Sequence, residues 1–258
     1  MTAAIHPTAI VDPRAELGRD IEIGPYVIVG PGVTLADQVR IAPHAVIERN
    51  AIVGRGCEIG VGAVIGGDPQ DVKYRGEPTR VQIGEGTRIR EYVTVNRGST
   101  ATGRTIVGRG CYLMSYVHVG HDCVLGDDVV LANTVQLGGH VHLERSASIG
   151  GASAVHQFTR IGTCAFVGGG SRVAQDVPPY ARAAGNPLKL YGINTVGLRR
   201  AGLDSETRLA LKRAFRLLFN SDLTTSEAID RLRAEPPEHP EVVRLLEFFS
   251  RSERGVLV

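Results

Sequence analysis

The stretch Val107–Leu143, VGRGCYLMSYVHVGHDCVLGDDVVLANTVQLGGHVHL, decides the fold. Every sixth residue in it is Val or Leu: Val107, Leu113, Val119, Leu125, Leu131, Leu137 and Leu143. A period of six does not match the 3.6 of a helix. A short internal repeat of this kind marks a solenoid. Working outward, the phase runs back to Ile5 and on to Val173. Of 29 positions on that grid, 26 are Ile, Leu or Val, and the failures are Asp71, Glu77 and Ala101.

The neighbours of the grid say what each hexad is. The residue after the aliphatic is often Gly, as at Gly84, Gly108, Gly120, Gly126 and Gly138. The residue two before it is usually small or β-branched, as at Ala45, Cys57, Cys111, Cys123 and Ala147. Residues two apart share one face of a strand. Each hexad therefore reads as a short strand with two inward residues and a corner that Gly eases. Three strands per turn make a triangular prism, the hexapeptide parallel β-helix, with about 18 residues per coil. Some nine coils stacked about 4.8 Å apart give a rod of roughly 40–45 Å. Cys57, Cys111 and Cys123 fall in the small inward slot and read as packing residues.

Composition agrees. Hydrophobic content is 43%, enough for a core, but aromatics are 5% with no Trp, and there are 32 Gly in 258 residues. That favours small side chains and many turns over a core built on large rings. The four Cys show no CxxC spacing, so no zinc ribbon or thioredoxin-like motif is indicated. The N-terminus, MTAAIHPTAIVD, lacks the basic start and apolar core of a signal peptide. No run reaches the ~18 apolar residues of a membrane span. The expectation is a cytoplasmic protein without membrane insertion.

The grid failures mark loops. Gly67–Arg80 (GDPQDVKYRGEPTR) is polar and turn-rich, and Arg97–Arg104 (RGSTATGR) is a shorter interruption. Loops thrown from a rigid scaffold often bind ligands. Gln70, Asp71, Lys73 and Tyr74 make the first the stronger candidate, and the second the weaker one.

The repeat ends near Val177-Pro178-Pro179. We expect the β-helix over 1–180, a linker over 181–202 and a helical domain over 203–258. Leu209, Leu211, Ala214, Phe215, Leu218 and Phe219 form a helical apolar stripe. Thr224 with Glu227 has capping-box spacing, and Pro240 suits a first helical position. Between Arg182 and Arg216 stand eight Lys/Arg and two acids, so 8 − 2 = +6 in a chain of net +2. Such a patch suits a nucleotide phosphate or an acidic carrier protein. Nucleic acid ranks last, because no aromatic residues interleave with the charge.

Five of the eight His fall between His118 and His156. With about 18 residues per coil, His121 projects to 139 and 157. His121, His140 and His156 are therefore expected along one ridge beside Asp122. Two chemistries fit. One is a metal centre. The other is general base catalysis, with an imidazole taking a hydroxyl proton as the oxygen attacks a thioester. A backbone N–H near Gly138-Gly139 would then serve the oxyanion.

Taken together, YVHVGHD, GDPQDVKYRGEPTRVQIG, LGGHV, GGASAVHQF, VAQDVPPY and GNPLKLYGINTVGLRR closely resemble the acyl-carrier-protein:UDP-N-acetylglucosamine O-acyltransferases of lipid A biosynthesis. The resemblance covers essentially the whole chain. It implies a left-handed β-helix, a homotrimer with sites between subunits, and no cofactor. It implies transfer of an acyl group, commonly 3-hydroxyacyl, from acyl carrier protein to the glucosamine 3-hydroxyl of UDP-N-acetylglucosamine. His121 matches the family's base, Asp122 its orienting partner and Gly139 its oxyanion donor. Asp71, Lys73, His118, His140, His156 and Gln157 match substrate contacts, and Gln70 stands with them on the loop. Asn194 and Arg200 match nucleotide contacts. Gly169 matches the position that limits acyl length, and glycine there implies a chain of about fourteen carbons by analogy. The family often has His where this chain has Asn96 and Glu where it has Val196, and a valine cannot accept a ribose hydrogen bond. Transfer to a 3-amino sugar nucleotide is therefore the alternative reading.

Three rivals are weaker. The related N-acyltransferase of the pathway carries an extra N-terminal domain, whereas the hexads here begin at Ile5. A zinc carbonic anhydrase of the same fold should show His-x4-His, whereas the close pair here is His118-x2-His121. A non-catalytic scaffold would need neither the histidine ridge nor the basic cap.

Overall fold

A computed structural model describes residues 4–234 and 238–258. The chain is a left-handed parallel β-helix followed by helices. Most strands are dipeptides, and they stack in three parallel sheets. Sheet I begins with Ala4–Ile5, sheet II with Ile10–Val11 and sheet III with Glu16–Leu17. Partners along a sheet are mostly one coil of three hexads apart, as in His118↔Gln136 and Gln136↔Ala154. The two loops leave this register intact, because the residues they add make up whole hexads. Glu58 pairs with Arg88, five hexads on, and Arg88 with Tyr112, four hexads on. Strands this short carry too little twist to enforce the usual right-handed crossover.

The inward slots are filled as the period requires. Val117 and Val119 are 1% and 0% exposed, and Cys123 and Leu125 are 0% and 1%. Burial pushes the Cys111 thiol up to about 11, which suits packing rather than reactivity. Where glycine follows the aliphatic, its reason differs from the one expected. At Gly84 a Cβ would sit 2.5 Å from the Gly108 carbonyl carbon, so close approach of successive coils excludes a side chain there. The left-handed backbone falls two residues later, and non-glycine residues adopt it freely. Tyr26, Asp122, His140 and Phe158 all have φ between 58° and 65°.

The stretch 181–202, expected as a linker, is built structure. Ala181–Ala184 extends sheet I and pairs antiparallel with Lys189–Ile193. Helix α1 (Thr195–Arg200) follows, capped by Asn194. Next come α2 (Ser205–Phe219), α3 (Thr225–Ala234) and α4 (Pro240–Ser250). Thr224 and Glu227 form the capping box, with Thr224 N donating to Glu227 Oε2 at 2.8 Å and Glu227 N to Thr224 Oγ1 at 3.3 Å. Leu211, Ala214, Phe215 and Leu218 are buried, but Leu209 of the expected stripe is 48% exposed. The helices are tied to the last coil by Arg244 donating to the buried Tyr180 hydroxyl at 2.9 Å, and by Ser252 donating to Asp176 at 2.6 Å.

Candidate active site

The prism has three ridges, and both loops and the His121, Asp122, Gly139 and His140 corners lie on the one between sheets II and III. The loop from Gly67 to Arg80 leaves there, between strands Val64–Gly67 and Arg80–Ile83. The loop Arg97–Arg104 leaves one coil on, between Thr94–Asn96 and Arg104–Val107. His121 and Asp122 follow strand His118–Val119, and Gly139 and His140 follow Gln136–Leu137. Gln157 and Phe158 follow Ala154–Val155.

The centre is a hydrogen-bonded pair. His121 Nδ1 lies 2.7 Å from Asp122 Oδ2. The Asp122 side chain is 0% exposed and the His121 side chain 14%. The carboxylate accepts from Ser99 N at 3.0 and 3.1 Å, and from the Thr102 hydroxyl. Burial pushes its pKa up, but the bonds from Thr102, His121 and Ser99 outweigh that and hold it below the ordinary carboxylate value. An ionised Asp122 fixes the proton of His121 on Nδ1 and leaves Nε2 with its lone pair outward.

Gly139 stacks one coil above His121. A Cβ there would lie 2.6 Å from His121 Cε1 and Nε2, so only glycine leaves room for the ring. Among the described residues, Gly139 N–H donates to no backbone or side-chain acceptor. It is a free donor beside the imidazole, as an oxyanion site needs. His140 meets His121 edge-on at 5.2 Å between centroids, and Phe158 stacks on His140 at 4.4 Å. His118 points outward from its strand, with Nδ1 2.7 Å from Thr94 Oγ1. Burial, and then the charge of His121, push the His118 pKa down.

A second set of groups lies elsewhere. A cavity of about 1450 Å³ opens between the upper coils of sheet I and the helices. Val130, Ser148 and Phe166 form its floor, and Arg182, Asn194, Arg200, Lys212, Arg213 and Arg216 its walls. Sheet I is the side of the triangle opposite the ridge that carries His121.

Comparison with known proteins places the chain. Residues 176–257 match the profile described as UDP N-acetylglucosamine O-acyltransferase, domain 2, and residues 104–139 match bacterial transferase hexapeptide repeats. The acyl-[acyl-carrier-protein]--UDP-N-acetylglucosamine O-acyltransferase of Myxococcus xanthus is 47% identical over 193 residues, 74% of this chain and 75% of that one. The chain belongs to this acyltransferase family. Among solved structures, a UDP-N-acetylglucosamine acyltransferase from Bacteroides fragilis superposes with a TM-score of 0.96 at 38% identity, covering 98% of this chain and 100% of that one. The UDP-N-acetylglucosamine O-acyltransferase of Moraxella catarrhalis gives 0.95 at 42% identity over 100% of both chains.

Not every acyltransferase position anticipated from the sequence gathers at His121. Asp122, Gly139 and His140 do. His156 is exposed and stands in the column of Gly138, its Nδ1 3.0 Å from the Gln157 carbonyl oxygen. The ring that stacks on His140 is instead Phe158, one full coil later. Asp71 Oδ1 caps Lys73 N at 2.9 Å in the exposed first loop, which also carries Gln70. Asn194 uses its side chain to cap α1, accepting from Gly197 N at 3.0 Å and donating to the Cys164 carbonyl at 3.0 Å. Arg200 ends the same helix with its side chain exposed. Gly169 is exposed on the ridge between sheets I and II, and a Cβ there would meet the Gly151 carbonyl at 3.1 Å.

Sequence reasoning misses Ser99 and Thr102, whose loop it ranks second, and Phe158. Projecting one coil on from His140 finds Phe158. Nothing local shows Ser99 and Thr102 reaching Asp122, because the contact spans more than a coil of chain. His121, Asp122 and His140 also form the cluster whose ligand atoms lie within 4.8 Å of one another. Both Asp122 oxygens are already engaged by Ser99, with Thr102 on one and His121 on the other. A carboxylate held in that way is an orienting group before it is a metal ligand.

Proposed function

We propose that this chain transfers a 3-hydroxyacyl group from acyl carrier protein to the glucosamine 3-hydroxyl of UDP-N-acetylglucosamine, the first step of lipid A biosynthesis, with His121 as general base. The observation that carries this reading is the His121–Asp122 pair with the free Gly139 N–H against the imidazole. His121 Nε2 takes the proton of the sugar hydroxyl as its oxygen attacks the thioester carbonyl carbon. The carbonyl π electrons move to oxygen, and Gly139 N–H stabilises that oxyanion. Collapse re-forms the carbonyl and breaks the C–S bond. The proton held by the imidazolium passes to the departing thiolate, and His121 returns to its starting state. Asp122 orients the ring and stabilises the imidazolium without itself taking a proton.

The basic cavity belongs to the same proposal. Arg182, Arg200, Lys212, Arg213 and Arg216 suit the diphosphate of the nucleotide and the acidic face of a carrier protein. They lie on the side of the prism opposite His121. Their placement on opposite sides of one protomer supports sites completed by a neighbouring copy, in the homotrimer that the family resemblance implies. By analogy with the family, glycine at 169 goes with an acyl chain of about fourteen carbons. No described helix is long and apolar enough to cross a membrane, and a cytoplasmic setting completes the proposal.

The test is incubation with UDP-N-acetylglucosamine, its 3-amino analogue and a panel of acyl carrier protein thioesters, with mass spectrometry of the products. The 3-O-acylated product is expected. Acylation of the amino analogue alone would select the 3-amino acceptor. No acylated product, together with stoichiometric zinc and hydratase activity, would replace the acyltransferase reading.

A further inference from the structure

The loop Arg97–Arg104 touches both the catalytic pair and the substrate loop. Its first residue, Arg97, is 1% exposed. The Arg97 guanidinium donates to the Gly66 carbonyl, to the Asp68 carboxylate and, at 3.0 Å, to the Tyr74 hydroxyl. Tyr74 in turn donates to the Glu77 carbonyl at 3.0 Å. These bonds grip the loop Gly67–Arg80 on both sides of Asp71 and Lys73. A few residues on, Ser99 N–H and the Thr102 hydroxyl donate to Asp122.

Between these two grips the loop is stiff. Gly103 N donates to Ser99 O at 2.8 Å and Ala101 N to Ser99 Oγ at 3.2 Å. A Cβ on Gly98 would sit 2.2 Å from Arg104 N, so the two ends of the loop are in backbone contact. Arg97 Nε has no hydrogen-bond partner among the described residues, which makes this a demanding place for a charge. An apolar side chain would serve stability as well or better at such depth. What the arginine adds is direction, and every group it contacts belongs to the substrate loop or its base.

We infer that this loop is a strut that sets the catalytic pair and the substrate loop in one fixed relation, with Thr102 the positioning residue for Asp122 and Arg97 the positioning residue for Asp71 and Lys73. The inference rests on the reading of His121 as base and Asp122 as its orienting partner. The groups facing Asp122 are His121, His140 with Nε2 at 3.6 Å, the Ser99 amide, the Thr102 hydroxyl and, at its own N–H, Thr105. No lysine or arginine pairs with Asp122 among the described residues, so the loop's neutral donors, together with the bond to His121, are what keep the carboxylate ionised.

Thr102→Val keeps the shape and removes the donor. It is expected to lower kcat about 10-fold with the KM for UDP-N-acetylglucosamine unchanged, and to move the acid limb of the kcat profile to higher pH. Thr102→Ser restores both. Arg97→Met releases the substrate loop and is expected to raise that KM about 10-fold with kcat nearly unchanged. Wild-type kcat and pH limb in Thr102→Val, or equal losses in the Ser and Val variants, would overturn the inference. So would an Arg97→Met enzyme that loses kcat without raising KM. Circular dichroism checks folding. If Thr102→Val is unfolded, the Ser and Ala variants decide, and if Arg97→Met is unfolded, Arg97→Lys must show the rise in KM. His121→Ala is run alongside. Retained turnover there removes the base reading, whereas an inactive His121→Ala beside an unperturbed Thr102→Val removes the strut alone.

Discussion

Two ridges of this prism are made by the same rule and do different things. The ridge between sheets III and I carries Arg19, Asp37, Arg55, Glu85, Arg109 and Asp127 at successive coils. They pair as Arg19–Asp37 and Arg109–Asp127 at 2.9 Å, and as Arg55–Glu85. The ridge between sheets II and III carries Asp122 at the same kind of corner. Both aspartates have pKa values held below the ordinary range, for opposite reasons. Asp127 is held by the side chain and then the backbone of Arg109, with its side chain 34% exposed. Asp122 has no arginine. Its charge survives full burial because Thr102 and Ser99 of the Arg97–Arg104 loop and the neighbouring His121 hydrogen-bond to it. An aspartate paired with arginine is neutralised, whereas one held by N–H and O–H groups keeps its field for the imidazole beside it.

The left-handed backbone at Asp122 and His140, both at φ 61°, is not the difference. Gln38 and Tyr26, away from the site, have φ of 62° and 58°. The conformation belongs to the corner rather than to catalysis.

The contrast breaks most visibly at His121. His121→Ala is expected to cut turnover about 10²- to 10⁴-fold in steady-state assays while circular dichroism stays unchanged. Next comes a pair of glycines. Gly139→Ala pushes the imidazole off its place and is expected to cost about 10²- to 10³-fold in kcat. Gly108→Ala, on the charged ridge, places a Cβ 2.5 Å from the Gly126 backbone, and should lower the melting temperature of the folded chain. Equal effects of the two on kcat would erase the distinction between the ridges.

Asp122→Asn keeps the shape but not the charge, and a fall in kcat of about 10²-fold is expected. The same variant gives the sign of a pH effect on stability. The folded pKa of Asp122 is depressed, so its contribution is complete above the ordinary carboxylate pKa and is lost as pH falls through the depressed folded value. Urea titrations should therefore show a smaller acid-side loss of stability in Asp122→Asn than in the parent. A parallel loss in both would place the acid sensitivity elsewhere. The smallest effect is expected from Asp127→Asn, which breaks an exposed pair, leaves kcat at the wild-type value and scarcely moves the melting temperature.

The sequence by itself determined the prism. A hexad period held at 26 of 29 positions allows one packing of inward pairs, and the loops keep the phase because they add whole hexads. It also determined that His121 stands beside Asp122, since adjacency in chain puts both on one corner. Coil arithmetic then brought Gly139 over His121, because stacking every third hexad is a property of the repeat.

Tertiary structure decided what lies beyond a single column of the repeat. It brought Ser99 and Thr102 onto Asp122 and Arg97 onto Tyr74, contacts between irregular loops whose paths no period describes. It turned the expected linker into a hairpin on sheet I, an edge that the parallel stack left open for pairing. It also put the basic residues of the C-terminal region on the side away from His121. Charge and spacing reveal that such a patch exists, but only the closing of the prism into a triangle determines which side it occupies.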